Sequence, residues 1–144
     1  MVAIARRVQR SSVGIIYFQP KTASVSQNNN FVAALYISAP KPVTVVQVNI
    51  AYDSSKLQFV SIDGSTSPFD TTIQADGSVS GVVSISRAKL SPTGLMGALL
   101  ISNITFQALT VSGATPVSIS SGNAAINGTY VNPSLSNSLV VTIA

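Results

Sequence analysis

Residues 45–60, VVQVNIAYDSSKLQFV, decide the fold of this chain. The first half of the segment alternates apolar residues with Gln47 and Asn49, which is the period of two expected of a strand that buries one face. Asp53 and the two serines after it have the composition of a turn, and the apolar pattern resumes at Leu57. The segment therefore predicts a strand, a tight corner and a second strand.

The rest of the chain repeats this alternation between apolar segments and turn residues, and it predicts about nine strands in all. The predicted strands are residues 13–19, 31–38, 43–52, 57–62, 71–75, 79–87, 98–109, 116–120 and 139–143. Asp76-Gly77 is a tight-turn candidate, and Asn127-Gly128 predicts an additional hairpin within residues 124–131. Pro40 and Pro42 indicate a stiff connection, because proline cannot donate to a strand ladder.

This strand count and spacing predict an all-β fold, in which two antiparallel sheets pack face to face with jelly-roll topology. Three strands supply the predicted core. The residues expected to face it are Phe31, Ala33, Leu35, Ile37, Val46, Val48, Ile50, Leu100, Ile104 and Phe106. Residues 98–101 are apolar on both faces, which indicates either a strand buried on both sides or contact with another chain.

The hairpin also resembles a family motif. A strand that ends in Tyr52-Asp53, followed by a short turn and residues 56–61 (KLQFVS), resembles the central hairpin of cohesin-like domains. Residues 15–20, 31–37 and 99–108 resemble the first, second and late strands of that family, so the resemblance covers roughly residues 13–144. It implies a sandwich that binds a protein partner, such as a dockerin-like module.

Composition indicates one domain, residues 13–144, preceded by an arm of residues 1–12. Only 8% of the residues are charged, whereas about 25% is typical, so Ser, Thr, Asn and Gln must form the polar surface. Such a surface suits a protein that is secreted, displayed or packed into an assembly. No apolar run approaches the roughly 20 residues of a membrane helix, and no membrane span is predicted.

The arm carries much of the net charge of +4, through Arg6, Arg7 and Arg10. It lacks the apolar core of about 7–15 residues that a secretion signal requires. The arginines are predicted to contact acidic groups on a protein partner. Nucleic acid is disfavoured, because the body has no basic stripe and few aromatic residues for stacking.

Catalysis is not predicted, because the chain has no His, no Cys and no Glu. The carboxylates are Asp53, Asp63, Asp70 and Asp76, and all four lie at predicted turns, where Asp bonds its own backbone. Asp63 and Asp70 could supply oxygen ligands to calcium, but four scattered carboxylates argue against a strong site. We therefore expect no enzyme activity, no cofactor and no metal.

Three hypotheses of function remain. The first is a phage or virus capsid decoration protein on the virion surface, which docks on the capsid lattice or on neighbouring subunits through its arm. The alternative is a cohesin-like protein-binding or adhesion module of an extracellular or cell-surface assembly. The third is a carbohydrate-binding module, although no Trp is present and only Tyr17, Tyr36, Tyr52 and Tyr130 could build an aromatic platform. Homo-oligomerisation is left open.

Overall fold

The computed structural model describes residues 14–79, 81–89, 94–126, 129–136 and 138–144. The arm, with Arg6, Arg7 and Arg10, lies outside the described residues. Within them the chain forms eleven strands: β1 (Ile15–Phe18), β2 (Thr22–Val25), β3 (Asn30–Tyr52), β4 (Leu57–Asp63), β5 (Thr71–Val79), β6 (Val82–Ala88), β7 (Leu95–Ala108), β8 (Gly113–Ile126), β9 (Thr129–Val131), β10 (Ser134–Leu135) and β11 (Leu139–Ile143). In this part of the chain no helix is long and apolar enough to cross a membrane.

Strand β3 is shared by two layers. Its first half pairs with β1 and β7 in the back layer, and its second half pairs with β6 and β8 in the front layer. Two separate strands had been expected, but one 23-residue strand runs through both layers. Pro40 and Pro42 lie at the crossing, where the pairing with β7 is interrupted between Ala39 and Val43. No ladder donor is required there, so proline is tolerated.

The two layers form a curled sandwich. The front layer has the strand order β5–β6–β3–β8, and β11 and β2 continue it from β8. The back layer has the order β4–β7–β3–β1–β10. The all-β sandwich predicted from the sequence is confirmed. The pairs β1–β10 and β11–β2 are parallel, and they are exceptions to the expected antiparallel pairing.

The core predicted for β3 is confirmed in both layers. Phe31 packs against the core, where its ring stacks on Phe106 at 5.7 Å between centroids. The other predicted residues of β3 are buried, as are Ile104 and Phe106 of β7. These buried residues of β3 are Ala33, Leu35, Ile37, Val46, Val48 and Ile50.

The prediction for Leu100 is wrong, because β7 contains a bulge. Leu35 pairs with Ser102 but Tyr36 pairs with Leu100, which leaves Ile101 as the extra residue. Ile101 is fully buried, whereas Leu100 is half-buried on the outward face beside Tyr36. One extra residue changes which face the following side chains occupy. The bulge accounts for the burial of Ile101, whereas Ala98 at the start of the same apolar run is exposed.

The tight turn predicted at Asp76-Gly77 is also wrong. Both residues lie inside β5, where the pairing with β6 shifts between Gln74 and Gly77. The ladder instead ends at the pair Val79–Val82, and Gly81 adopts the left-handed conformation with φ of 87°. Gly suits that position because it has no β-carbon. The chain therefore reverses a few residues later than the Asp-Gly pair indicated.

The hairpin predicted near residue 127 agrees with the strands on either side of it. Asn127 and Gly128 themselves lie outside the described residues. Ile126 pairs with Thr129, so β8 and β9 form the two arms of a hairpin.

The corner predicted after Tyr52 is confirmed. Asp53 Oδ1 accepts hydrogen bonds from Ser55 N at 2.9 Å and from Ser55 Oγ at 2.6 Å. Leu57 N donates to Asp53 O at 3.0 Å, which closes the turn. Tyr52 packs its ring edge against Phe106 at 5.0 Å. Tyr52 is thus a core anchor and Asp53 a structural corner.

Candidate functional site

The outward face of the front layer carries uncharged polar residues in two rows. Because side chains alternate along each strand, outward residues of β6, β3 and β8 lie side by side. The pairing gives one row of Ser84, Asn49 and Ser121 and a second row of Ser86, Gln47 and Asn123. We call these six residues the polar face.

The first row is internally hydrogen-bonded. Ser84 Oγ donates to Asn49 Oδ1 at 2.8 Å, and Asn49 Nδ2 donates to Ser121 Oγ at 3.0 Å. Ser120 Oγ also donates to Asn49 O at 3.1 Å. Asn49 therefore uses both ends of its amide to join β6, β3 and β8. Its amide orientation is set by these bonds.

The second row lacks such bonds. Ser86 is only 5% exposed, and neither its Oγ nor Asn123 Oδ1 has a hydrogen-bond partner among the described residues. Leaving a buried polar group unpaired costs about 1–3 kcal/mol. The two atoms lie on strands that flank Gln47. Both atoms are almost closed to solvent, so they are unsatisfied within the described part of the chain and are not presented at the surface.

Both rows line one cleft of about 200 Å³. Its floor includes Val48 and Ile85, which are buried in the core. None of the described residues that line the cleft is charged. The cleft is therefore suited to a neutral group that donates and accepts hydrogen bonds.

Asp53, Asp63 and Asp70 are not among the described residues that line this cleft; Asp53 and Asp70 lie in loops and Asp63 ends β4. Asp76, predicted at a turn, lies inside β5. Hydrogen bonds from Ser55 lower the pKa of Asp53, and hydrogen bonds from Ser65 lower the pKa of Asp63. Lys89, whose Nζ is 2.8 Å from Asp70 Oδ2, lowers the pKa of Asp70.

Carboxylates held in the ionised form are poor general acids. Nor do the described residues place three potential metal ligands of the His, Cys, Asp or Glu type together.

The four tyrosines do not form one platform. Tyr17 and Tyr36 stack on the back layer at 5.6 Å with an interplanar angle of 16°. Tyr52 contacts the core, and Tyr130 of β9 is 64% exposed. A second cavity of about 500 Å³ lies beside Tyr17, and its described lining is mostly apolar.

Only part of the polar face could be predicted from the sequence. Gln47 and Asn49 were singled out as the polar half of a strand, but Ser84, Ser86, Ser121 and Asn123 were not. The signal available for Ser84 and Ser86 is the alternation VVSIS at residues 82–86, which resembles any half-exposed strand. The predicted arm residues Arg6, Arg7 and Arg10 lie outside the described residues, so their contacts stay a prediction.

The architecture is similar to that of solved cohesin modules. The cohesin module of a family 33 glycoside hydrolase from Clostridium perfringens has a TM-score of 0.75 at 16% identity, over 93% of this chain and 100% of that chain. The sixth cohesin of scaffoldin B from Acetivibrio cellulolyticus, solved in complex with the Cel5 dockerin, has a TM-score of 0.73 at 14% identity, over 92% and 99%. A non-cellulosomal cohesin from the archaeon Archaeoglobus fulgidus has a TM-score of 0.73 at 11% identity, over 92% and 91%.

No protein-family model matches the chain, and no curated protein matches its sequence. At identities of 11–16%, the similarity to the three solved structures concerns the fold and not the partner. The sequence resemblance found in the central hairpin and the architecture of the whole sandwich lead to one conclusion: the chain has a cohesin-like fold.

Proposed function

We propose that this chain is a non-catalytic protein-binding module that docks its partner on the polar face. The observation that carries the proposal is the uncharged cleft across β6, β3 and β8, on which Asn49, Ser84 and Ser121 are exposed hydrogen-bonding side chains. A docked protein could form hydrogen bonds with these exposed side chains. The dockerin-bound cohesin from Acetivibrio cellulolyticus supports a dockerin-like partner.

The chemistry of the polar face favours a protein over a nucleic acid. Nucleic acids are held mainly through Lys and Arg contacts to phosphates, and the described lining of the cleft has neither. A typical protein interface instead carries about one hydrogen bond per 100–200 Å². Asn49, Ser84 and Ser121 are exposed neutral side chains on this sheet that can form such hydrogen bonds. Such a module would act outside the cell or at the cell surface.

The other two hypotheses have weaker support. Capsid decoration depended on Arg6, Arg7 and Arg10, which lie outside the described residues, and it stays a prediction. Carbohydrate binding required an aromatic platform, and the structure brings together only Tyr17 and Tyr36. The chain also offers no His, Cys or Glu for an enzyme mechanism.

Matched variants on the two layers test the proposal. Asn49→Arg places a bulky charge in the polar face, whereas Val32→Arg places the same charge on the back layer, where Val32 is 54% exposed. Each protein is immobilised and exposed to proteins secreted by the source organism. Captured proteins are identified by mass spectrometry, and the binding of the purified partner is measured by calorimetry.

We expect the wild-type protein and Val32→Arg to bind the same partner, and Asn49→Arg to lose it. Circular dichroism confirms that both variants are folded. If folded Asn49→Arg binds the partner as tightly as the wild-type protein does, the polar face is not the docking surface. A captured partner without a dockerin-like helical module would contradict the class of partner proposed here.

A further inference from the structure

We propose that β2 is an open sheet edge through which two copies of this chain dimerise, by antiparallel pairing of β2 with β2. The strand ends the front layer: it pairs with β11 on one side, and no described strand pairs with its other side. An unpaired strand edge presents backbone N–H and C=O groups to which another strand can bond. This inference goes beyond the proposed function and does not depend on it.

The other edge strands of the described layers carry features that oppose strand addition. The pairing of β4 with β7 is irregular between Phe59 and Ser61, and the pairing of β5 with β6 shifts twice. The edge strands β9 and β10 have only three and two residues. Bulges and very short strands protect the edges of natural sheets. Among the described edge strands, β2 is the longest whose pairing has no register shift, and none of its residues is charged or proline.

Alternate residues of β2 direct their backbone groups to the open side. Ala144 N donates to Val25 O at 3.0 Å, so Val25 and Ala23 face β11. Backbone groups alternate in direction along a strand, and those of Thr22 and Ser24 therefore point to the open edge. Neither residue has a backbone hydrogen-bond partner on that side among the described residues. Both residues are exposed, so a second chain can reach them.

The open edge is complementary to itself. In an antiparallel ladder, a hydrogen-bonded position joins one edge-facing residue from each strand, and the two residues exchange both N–H···O bonds. The register that uses both edge-facing residues of β2 places Thr22 of each copy opposite Ser24 of the other, with the two Ala23 residues opposite each other at the centre. These two positions supply four backbone hydrogen bonds. The contacts are reciprocal, as an interface with two-fold symmetry requires.

Side-chain size and charge permit this register. Ala23 is half-buried against the core, and its methyl group is small enough for the Cα separation of about 4.5 Å at a non-hydrogen-bonded position. Lys21 lies opposite Val25 of the second copy, so the two lysines are at least about 14 Å apart, beyond the screening length of about 8 Å. The polar face stays uncovered, because β11 separates β8 from β2.

Sedimentation equilibrium tests the dimer. Four backbone hydrogen bonds across a small interface make a weak dimer, and we expect a Kd of about 0.1–1 mM. Ser24→Pro removes a donor from the open edge and spares the ladder with β11, so it should weaken dimerisation at least about tenfold. Ser24→Ala keeps the backbone N–H, and this matched control should dimerise within about threefold of the wild-type protein. Circular dichroism confirms that both variants are folded.

Cross-linking tests the register, because the chain has no cysteine of its own. The expected Cα separation of about 4.5 Å between the two copies of residue 23 lies within the range of about 4.4–6.8 Å that a disulfide bond accepts. Under mild oxidation, Ala23→Cys should therefore form a covalent dimer at least about tenfold faster than Thr142→Cys. Thr142 is an exposed residue of β11, one strand away from the edge.

A wild-type protein that stays monomeric at about 2 mM overturns the proposal. It is also overturned if folded Ser24→Pro dimerises as tightly as the wild-type protein, or if Ala23→Cys and Thr142→Cys cross-link at equal rates. Partner capture by the polar face is measured separately with Asn49→Arg, so failure of the dimer leaves the proposed function standing. Failure of partner capture likewise leaves the dimer standing.

Discussion

Arg87 places its guanidinium against the backbone of Gly64, so closely that a β-carbon at residue 64 would overlap it. Arg87 pairs with Val46 of β3, whose side chain is fully buried, and Arg87 itself is only 7% exposed. The turn after β4 therefore packs on an arginine that points into the sandwich. Asp63 precedes this turn, and hydrogen bonds from Ser65, followed by the charge of Arg87, lower its pKa.

Replacement of Gly64 tests this contact. Gly64→Ala should destabilise the fold by about 1–3 kcal/mol, because the guanidinium must move within a packed interior. In the background of Arg87→Met, the same change should cost at least about 1 kcal/mol less, because the overlapping group is gone. Urea unfolding of the four proteins measures the coupling. Strictly additive effects would contradict the contact.

The loop between β4 and β5 depends on a buried serine. Ser67 Oγ donates to Leu100 O at 2.7 Å and accepts from Phe69 N at 3.1 Å, and Phe69 is fully buried. Ser67→Ala should cost about 1–3 kcal/mol, because both groups lose a partner away from water. Thr66→Ala, at an exposed neighbour, is the matched control and should stay within about 0.5 kcal/mol. Equal unfolding curves for the two variants would exclude this role.

The pH dependence of stability follows from the carboxylates. Hydrogen bonds from Ser55, Ser65 and Lys89 lower the pKa values of Asp53, Asp63 and Asp70 below 3.8. A lowered pKa in the folded state contributes stability above the unfolded value, and that stability is lost as the pH falls through the folded value.

We therefore expect a nearly constant melting temperature between about pH 5 and pH 8, since the chain has no His or Glu side chains to titrate there. The melting temperature should then fall from about pH 4 downwards. Thermal unfolding followed by circular dichroism checks both parts. A decline that begins above pH 5 would contradict this assignment. Asp70→Asn should make the acid decline shallower.

Asn49→Asp tests the bonded row of the polar face with almost no change in shape. The carboxylate can still accept from Ser84 but cannot donate to Ser121. We expect a loss of about 1 kcal/mol in the free energy of unfolding, measured in urea. Calorimetry should also show weaker partner binding, because a charge now faces the docked surface. Unchanged binding would indicate that the partner docks elsewhere.

Some features escaped prediction because their causes are distant in the sequence. Strand β2 pairs with β11, and β10 pairs with β1, so these short strands exist through partners more than a hundred residues away. The bulge at Ile101 and the late reversal near Gly81 are likewise set by pairing with neighbouring strands. Local propensity carries no information about such pairings.

The sequence by itself determined the central hairpin, the corner at Asp53, the inward face of β3 and the cohesin-like sandwich. The hairpin, the corner and the inward face follow from the alternation of apolar and polar residues and from turn chemistry, both of which are local. The cohesin-like sandwich was implied by the resemblance of the central hairpin to that family. Only the tertiary structure decided that Ser86, Gln47 and Asn123 form one row. It also decided that Asn49 is hydrogen-bonded to Ser84 and Ser121, while Ser86 Oγ has no hydrogen-bond partner among the described residues. The physical reason is register: residues from three segments become neighbours only when their strands pair.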